Sequence, residues 1–135
     1  MKKYLLDTNI LFFYLKEKYN IKKKIVQIGY ENCYVSEISL AEIRYGDTYS
    51  KLKGFSRPSD SEKILKLFKI VPVSKSLDMY ADEKAKLKLI GKPVGLLDLM
   101  IGCTAVVNDM IMVTENEKDF ESITDIQIEN WVNRE

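Results

Sequence analysis

The chain contains no histidine. Ser-His-Asp and Cys-His nucleophiles, imidazole acid–base catalysis and every histidine-bearing zinc site are therefore excluded. Cysteine is nearly as scarce: Cys33 and Cys103 stand far apart with no CxxC spacing. That removes a zinc ribbon and a thioredoxin-like redox motif. Both thiols fall in apolar segments and read as inert core side chains of a reducing compartment, with a single bridge left open. Long apolar runs are missing too; the most apolar later stretch, residues 99–107, is far too short to span a bilayer. Lys2-Lys3 imitates the start of a signal peptide, but Asp7 and Asn9 interrupt the apolar run and no small-residue cleavage site follows. A cytoplasmic protein is expected.

What is present is ordinary in amount. The 135 residues are 46% apolar and 30% charged, enough for one domain over 1–135 with a real core. Lys plus Arg is 21 against 20 for Asp plus Glu, a net charge of +1, so any nucleic-acid-binding surface has to be local. The polar chemistry left is carboxylate, amide, hydroxyl, lysine and arginine. An enzyme made from that set is a carboxylate–metal enzyme.

Along the chain, Tyr4-Leu5-Leu6 is a short apolar strand stopped by Asp7-Thr8-Asn9. A helix is predicted over 10–16, and Ile21, Ile25 and Ile28 repeat at helical spacing before Gly29. Residues 33–35 read as a second strand. Ser39 and Glu42 have capping-box spacing and predict a helix running from 39 toward 50. A loop is expected over 54–59, then a helix face of Ile64, Leu65 and Phe68 and a third strand over 70–73. Leu77, Tyr80, Ala81 and Leu87 mark the next helix, Gly95 precedes another over 96–107, and strands follow over 111–113 and 126–128. Short apolar strands alternating with helices predict a three-layer α/β/α domain with a parallel sheet of four to five strands.

In such sheets ligands bind beyond the carboxyl ends of the strands. Asp7 ends strand one; Glu42 lies in the first turn of the helix after strand two; Asp98 lies in the first turn of the helix before strand four. Thr114, Asn116 and Asp119 follow strand four. Gathered carboxylates repel and need a cation, and oxygen ligands select Mg²⁺ or Mn²⁺. A cation held this way activates water and neutralises phosphoryl charge, which is phosphodiester hydrolysis chemistry without histidine. Each acid also has a plain structural explanation. Asp7 could simply end a strand, Glu42 could complete a capping box, Asp98 could favour the positive end of its helix, and Asp119 could be a turn residue. Lys22-Lys23-Lys24 reads as a solvated face.

Taken in order, these segments resemble the PIN-domain ribonucleases, specifically the VapC-type toxins of toxin–antitoxin modules. Leu5-Leu6-Asp7-Thr8-Asn9-Ile10 is similar to the opening motif of that family. Ser36-Glu37-Ile38-Ser39-Leu40-Ala41-Glu42-Ile43-Arg44-Tyr45-Gly46 resembles the second, and Gly91-Lys92-Pro93-Val94-Gly95-Leu96-Leu97-Asp98-Leu99-Met100-Ile101 the third. Val113-Thr114-Glu115-Asn116-Glu117-Lys118-Asp119-Phe120 and the Glu129-Asn130-Trp131 tail resemble the ending. The resemblance implies a PIN-like fold and Mg²⁺- or Mn²⁺-dependent endoribonuclease activity at Asp7, Glu42, Asp98 and Asp119. Asp7 and Asp98 would be the principal metal ligands, with Asn9, Thr114 and Asn116 supporting them by hydrogen bonds. It also implies an RNA substrate, a small antitoxin that blocks the acidic cleft, and a homodimer. Glu115 stands where the family commonly carries a basic residue, and some relatives carry an acid at the position of Asn116.

Other classes predict other features. A phosphoaspartate receiver needs an acidic pair at the end of strand one, where this chain has Asp7 alone, and a haloacid-dehalogenase-like phosphatase needs D-x-D where it has Asp7-Thr8-Asn9. A non-catalytic PIN-like binding module, with structural acids, is the remaining alternative.

Overall fold

Five short strands, all parallel, form the centre of the molecule: β1 (Tyr4–Leu6), β2 (Cys33–Ser36), β3 (Lys69–Val71), β4 (Ile111–Val113) and β5 (Ile128–Glu129), in the order β3-β2-β1-β4-β5. The structure, a computed structural model, describes residues 1–134. Around the sheet lie α1 (Thr8–Leu15), α2 (Ile21–Ile28), α3 (Glu37–Leu52), α4 (Asp60–Leu67), α5 (Leu77–Leu89), α6 (Leu96–Val107) and the single turn α7 (Glu117–Phe120). The chain builds outward from β1 through β2 to β3, then returns to lay β4 and β5 on the other side. The strand order therefore reverses between β1 and β4, where a crevice opens at the carboxyl ends.

Because side chains alternate along a strand, neighbouring residues of β1 and β4 enter different layers. Leu6 and Val113 pack with Ile10, Leu11, Ile21, Ile25, Ile43 and Ile64, under α1 to α4. Leu5 and Met112 pack with Leu87, Leu99, Ile101 and Phe120, under α5 to α7. The three-layer α/β/α architecture follows directly from that alternation. Cys33 and Cys103 are buried free thiols, and burial pushes their pKa values up to about 12 and about 11. Gly102 lets α6 approach the chain after α7 closely: a Cβ there would lie 2.4 Å from Ile123 Cδ1. Among the described residues no helix is long and apolar enough to cross a membrane.

Several boundaries differ from the sequence expectations, each for a local reason. Helix α1 starts at Thr8, not 10, because the Asp7 carboxylate caps it by accepting the Thr8 N–H at 2.8 Å. Helix α3 starts at Glu37, not 39, because Ser36 is its cap and accepts the Ile38 N–H at 3.0 Å. Strand β3 ends at Val71, before Pro72, which has no N–H to continue the ladder. Pairing in β5 begins at Ile128 instead of 126, since the Ile126 N–H is committed to the Ile123 carbonyl. The buried face of α5 carries Glu83 and Leu87, while Leu77 is 49% exposed. Glu83 is buried as a pinned carboxylate, accepting the Thr124 N–H and pairing with Lys86 at 3.1 Å.

Candidate active site

Asp7 is the first residue beyond β1, and its N–H donates to the Val113 carbonyl of β4 at 2.9 Å. This fixes it at the strand-order reversal. Only 4% exposed, its carboxylate accepts the Thr8 N–H on Oδ1 and the Thr114 hydroxyl on Oδ2, both at 2.8 Å. Burial pushes its pKa up to about 6; the two hydrogen bonds oppose the rise, and the nearby charges of Asp98 and Glu42 add to it. Thr114 works in two directions, donating to Asp7 and accepting the Asn116 N–H at 3.0 Å.

Glu42 requires a correction. It lies in the second turn of α3, not the first, so it is not the glutamate of a capping box. Its Oε1 lies 2.9 Å from the Thr8 hydroxyl, which is also 2.9 Å from the buried Ser39 hydroxyl. Thr8 has one proton, and a carboxylate is the stronger acceptor, so Thr8 donates chiefly to Glu42 and shares that proton with Ser39 only as the weaker branch. Thr8 and Ser39 thus link α1 to α3 across the site. Ser39, expected as the cap of a helix, serves this link instead, and Thr8 was legible only as the residue next to Asp7.

Asp98 is the third residue of α6 and half-buried. Burial, then the charges of Asp119 and Glu42, raise its pKa. Asp7, Glu42 and Asp98 therefore form a mutually repelling trio from three elements. Asp119, exposed on α7, joins through Asp98, and its N–H donates to the Asn116 carbonyl at 3.0 Å. Asn116 sits exposed before α7.

Two observations bear on a cation here. Among the described residues no lysine or arginine pairs with any of the four acids, and the Asn9 Oδ1 atom is buried with no protein hydrogen-bond donor. An orphaned amide oxygen two residues along from Asp7 fits the oxygen-only donor set of Mg²⁺ or Mn²⁺. The acids do not, however, stand as a ready-made cluster: among the described residues no three acidic or thiol groups are close enough to hold a metal. A cation would have to draw the groups in. Beside Glu42 opens an apolar groove of about 630 Å³ lined by Phe12, Ile38, Ala41, Tyr45, Gly46 and Leu97.

With this geometry in view, similarity to known proteins is informative. Residues 4–126 match the PIN domain family. Ribonuclease VapC2 of Haemophilus influenzae is 30% identical over 98% of this chain and 100% of its own length. The tRNA(fMet)-specific endonuclease VapC of Salmonella typhimurium is 29% identical over 97% of this chain and 99% of its own. In structure, the VapBC2 complex of Rickettsia felis bound to a promoter DNA fragment includes a chain that superposes with a TM-score of 0.83 at 29% identity, covering 95% of this chain and 98% of that one. The chain belongs to the PIN-domain family, in its VapC branch.

Proposed function

We propose that this chain is a Mg²⁺- or Mn²⁺-dependent endoribonuclease and the toxin of a toxin–antitoxin pair. The observation that carries the reading is the Asp7–Glu42–Asp98 trio at the strand-order reversal, with a buried Asp7 that has no basic partner among the described residues. Asp7, Glu42 and Asp98 would hold the cation, and Asp119 extends the acidic edge along α7. When bound, the cation supplies Lewis acidity, offsetting charge that develops on a phosphoryl group and making water a nucleophile at neutral pH. Thr114 and Thr8 each donate to one oxygen, of Asp7 and Glu42 respectively, and so orient the two carboxylates toward the site. Asn9 and Asn116 are the amides available to position a phosphate or water at the rim.

The relatives named VapC cut RNA, and the Rickettsia protein is found with its VapB partner. By the same reading this chain takes RNA as substrate, forms a homodimer, and is held by a small antitoxin protein. The antitoxin would cover the acidic cleft with a cationic side chain. The groove beside Glu42, with Tyr45 69% exposed and Leu97 43% exposed, supports a protein partner there.

The experiment is cleavage of total RNA by the purified chain, with the ends mapped. Water activated by a bound cation would attack phosphorus and release the 3′-hydroxyl, so the products would carry 5′-phosphates. Cleavage should stop in EDTA and return with Mg²⁺ or Mn²⁺. Undiminished cleavage in EDTA, or 2′,3′-cyclic phosphate ends, would contradict the proposal.

A further inference from the structure

The turn that follows α1 is unusual: Glu17, Tyr19 and Asn20 have φ of 55°, 55° and 57°. Non-glycine residues rarely adopt this left-handed conformation, and such strain persists where the surroundings over-determine it. Here the result is the placement of one ring. Tyr19 packs edge-on against Phe13 of α1, with ring centres 4.8 Å apart, and its hydroxyl accepts from Arg134 Nη1 at 2.7 Å. The guanidinium carbon of Arg134 lies 4.9 Å from the centre of the Tyr19 ring. The other two guanidinium nitrogens, Nε and Nη2, each donate to one oxygen of Glu115, Nη2 at 2.8 Å. All three nitrogens of Arg134 are thus engaged, by two segments far apart in sequence.

Glu115 sits between Thr114, which donates to Asp7, and Asn116, whose N–H is held by the Thr114 hydroxyl. Helix α1 is capped by Asp7 and leads into the strained turn. The tail beyond β5 therefore fastens the far end of α1 to the segment carrying Thr114, Asn116 and Asp119. An isolated exposed ion pair would contribute little. A two-pronged guanidinium–carboxylate contact with a third bond to Tyr19 is different, because each bond removes freedom from the others.

We propose that Arg134 is a positioning residue of the acidic site. It locks residues 114–119 against the turn that ends α1, keeps Thr114 and Asp119 in register with Asp7, and so sets the affinity for the divalent cation. This rests on the metal-dependent reading above, and it can be separated from simple electrostatics by sign. A positive charge near a cation site weakens cation binding, so removing it without other consequence would tighten binding. Removing a brace loosens it.

The test uses the full chain as parent, Arg134→Gln and the charge swap Glu115→Arg/Arg134→Glu. Free Mn²⁺ is read by electron paramagnetic resonance, and amide hydrogen exchange is read without metal. Arg134→Gln should weaken Mn²⁺ binding by about three- to tenfold and speed exchange at the amides of Asn116 and Asp119. The swap should restore the exchange protection. Mn²⁺ binding that is unchanged or tighter in Arg134→Gln, even with a lower melting temperature, overturns the proposal. If the parent itself binds no Mn²⁺, the metal-dependent reading fails. Exchange then still judges the brace, and unchanged protection at Asn116 and Asp119 overturns it. Should Arg134→Gln not fold, Tyr19→Phe removes only the Nη1 acceptor and should shift exchange in the same direction by less; no shift overturns the brace.

Discussion

Asp7→Asn is expected to lower RNA cleavage by about a thousandfold while making the metal-free chain more stable at pH 7. The loss follows from removing a charge where charge must be offset, an effect that elsewhere reaches about 10²–10³ in rate for one group. The gain follows from burial. Asp7 is 4% exposed and its pKa is pushed up to about 6. Below a pH of about 3.8 the carboxyl is neutral in both the folded and unfolded chain, so it imposes no penalty. Between about 3.8 and about 6 the unfolded chain ionises first, and stability falls as pH rises. Above about 6 the penalty is complete, on the order of 3 kcal/mol at 1.36 kcal/mol per unit. Asparagine avoids it but keeps one hydrogen bond more poorly, at about 1 kcal/mol, leaving roughly 2 kcal/mol in the variant's favour. Urea denaturation of both chains at pH 4 and pH 7 should show a difference that widens with pH. Parent-like cleavage by the variant, or lower stability than the parent at pH 7, would contradict the role given to Asp7.

Glu42→Gln is expected to cut cleavage by about a hundredfold or more with a melting temperature close to the parent's. Glutamine keeps an Oε1 atom to accept from Thr8, so the link between α1 and α3 survives. What disappears is the charge that Asp7 and Asp98 both feel. The structure removes the competing explanation for this residue, because the cap of α3 is Ser36 and Glu42 lies a turn further on. If cleavage by Glu42→Gln at saturating Mg²⁺ matched the parent, Glu42 would be a strut between two helices and the site would reduce to Asp7, Asp98 and Asp119.

Strands β1, β2 and β4 were legible because each is a short apolar run stopped by a polar residue, and two of those stops, Asp7 and Thr114, are also site residues, whereas the bounds of β3 and β5 were not. Positions beyond strand ends can be read from periodicity alone once the sheet is known to be parallel. Helix starts were less legible. A serine at the end of a strand and another three residues on, Ser36 and Ser39, compete as caps, and only the tertiary link from Ser39 to Thr8 decides between them. Glu83 was invisible for a different reason: periodicity treats a glutamate as solvent-facing, whereas its partner Thr124 lies 41 residues away. The same distance problem hid Arg134, whose contacts with Tyr19 and Glu115 span 115 and 19 residues. The acids themselves were nameable from the sequence. Their placement at one edge of the sheet was legible too; that Asp7, Glu42 and Asp98 feel one another's charge, and Asp98 that of Asp119, was not.

The central claim is that Asp7, Glu42 and Asp98 together make one divalent-cation site, and calorimetric titration of Mn²⁺ into the parent and Asp98→Asn at pH 7 tests it most directly. Asp98 is suited to the comparison because it is half-buried on α6 and its side chain makes no hydrogen bond among the described residues. The account predicts saturable binding by the parent, at least about tenfold weaker binding by Asp98→Asn because a neutral amide replaces a charged oxygen ligand, and unfolding curves that nearly coincide. Binding by Asp98→Asn as tight as the parent's, or a parent that takes up no Mn²⁺, would contradict it.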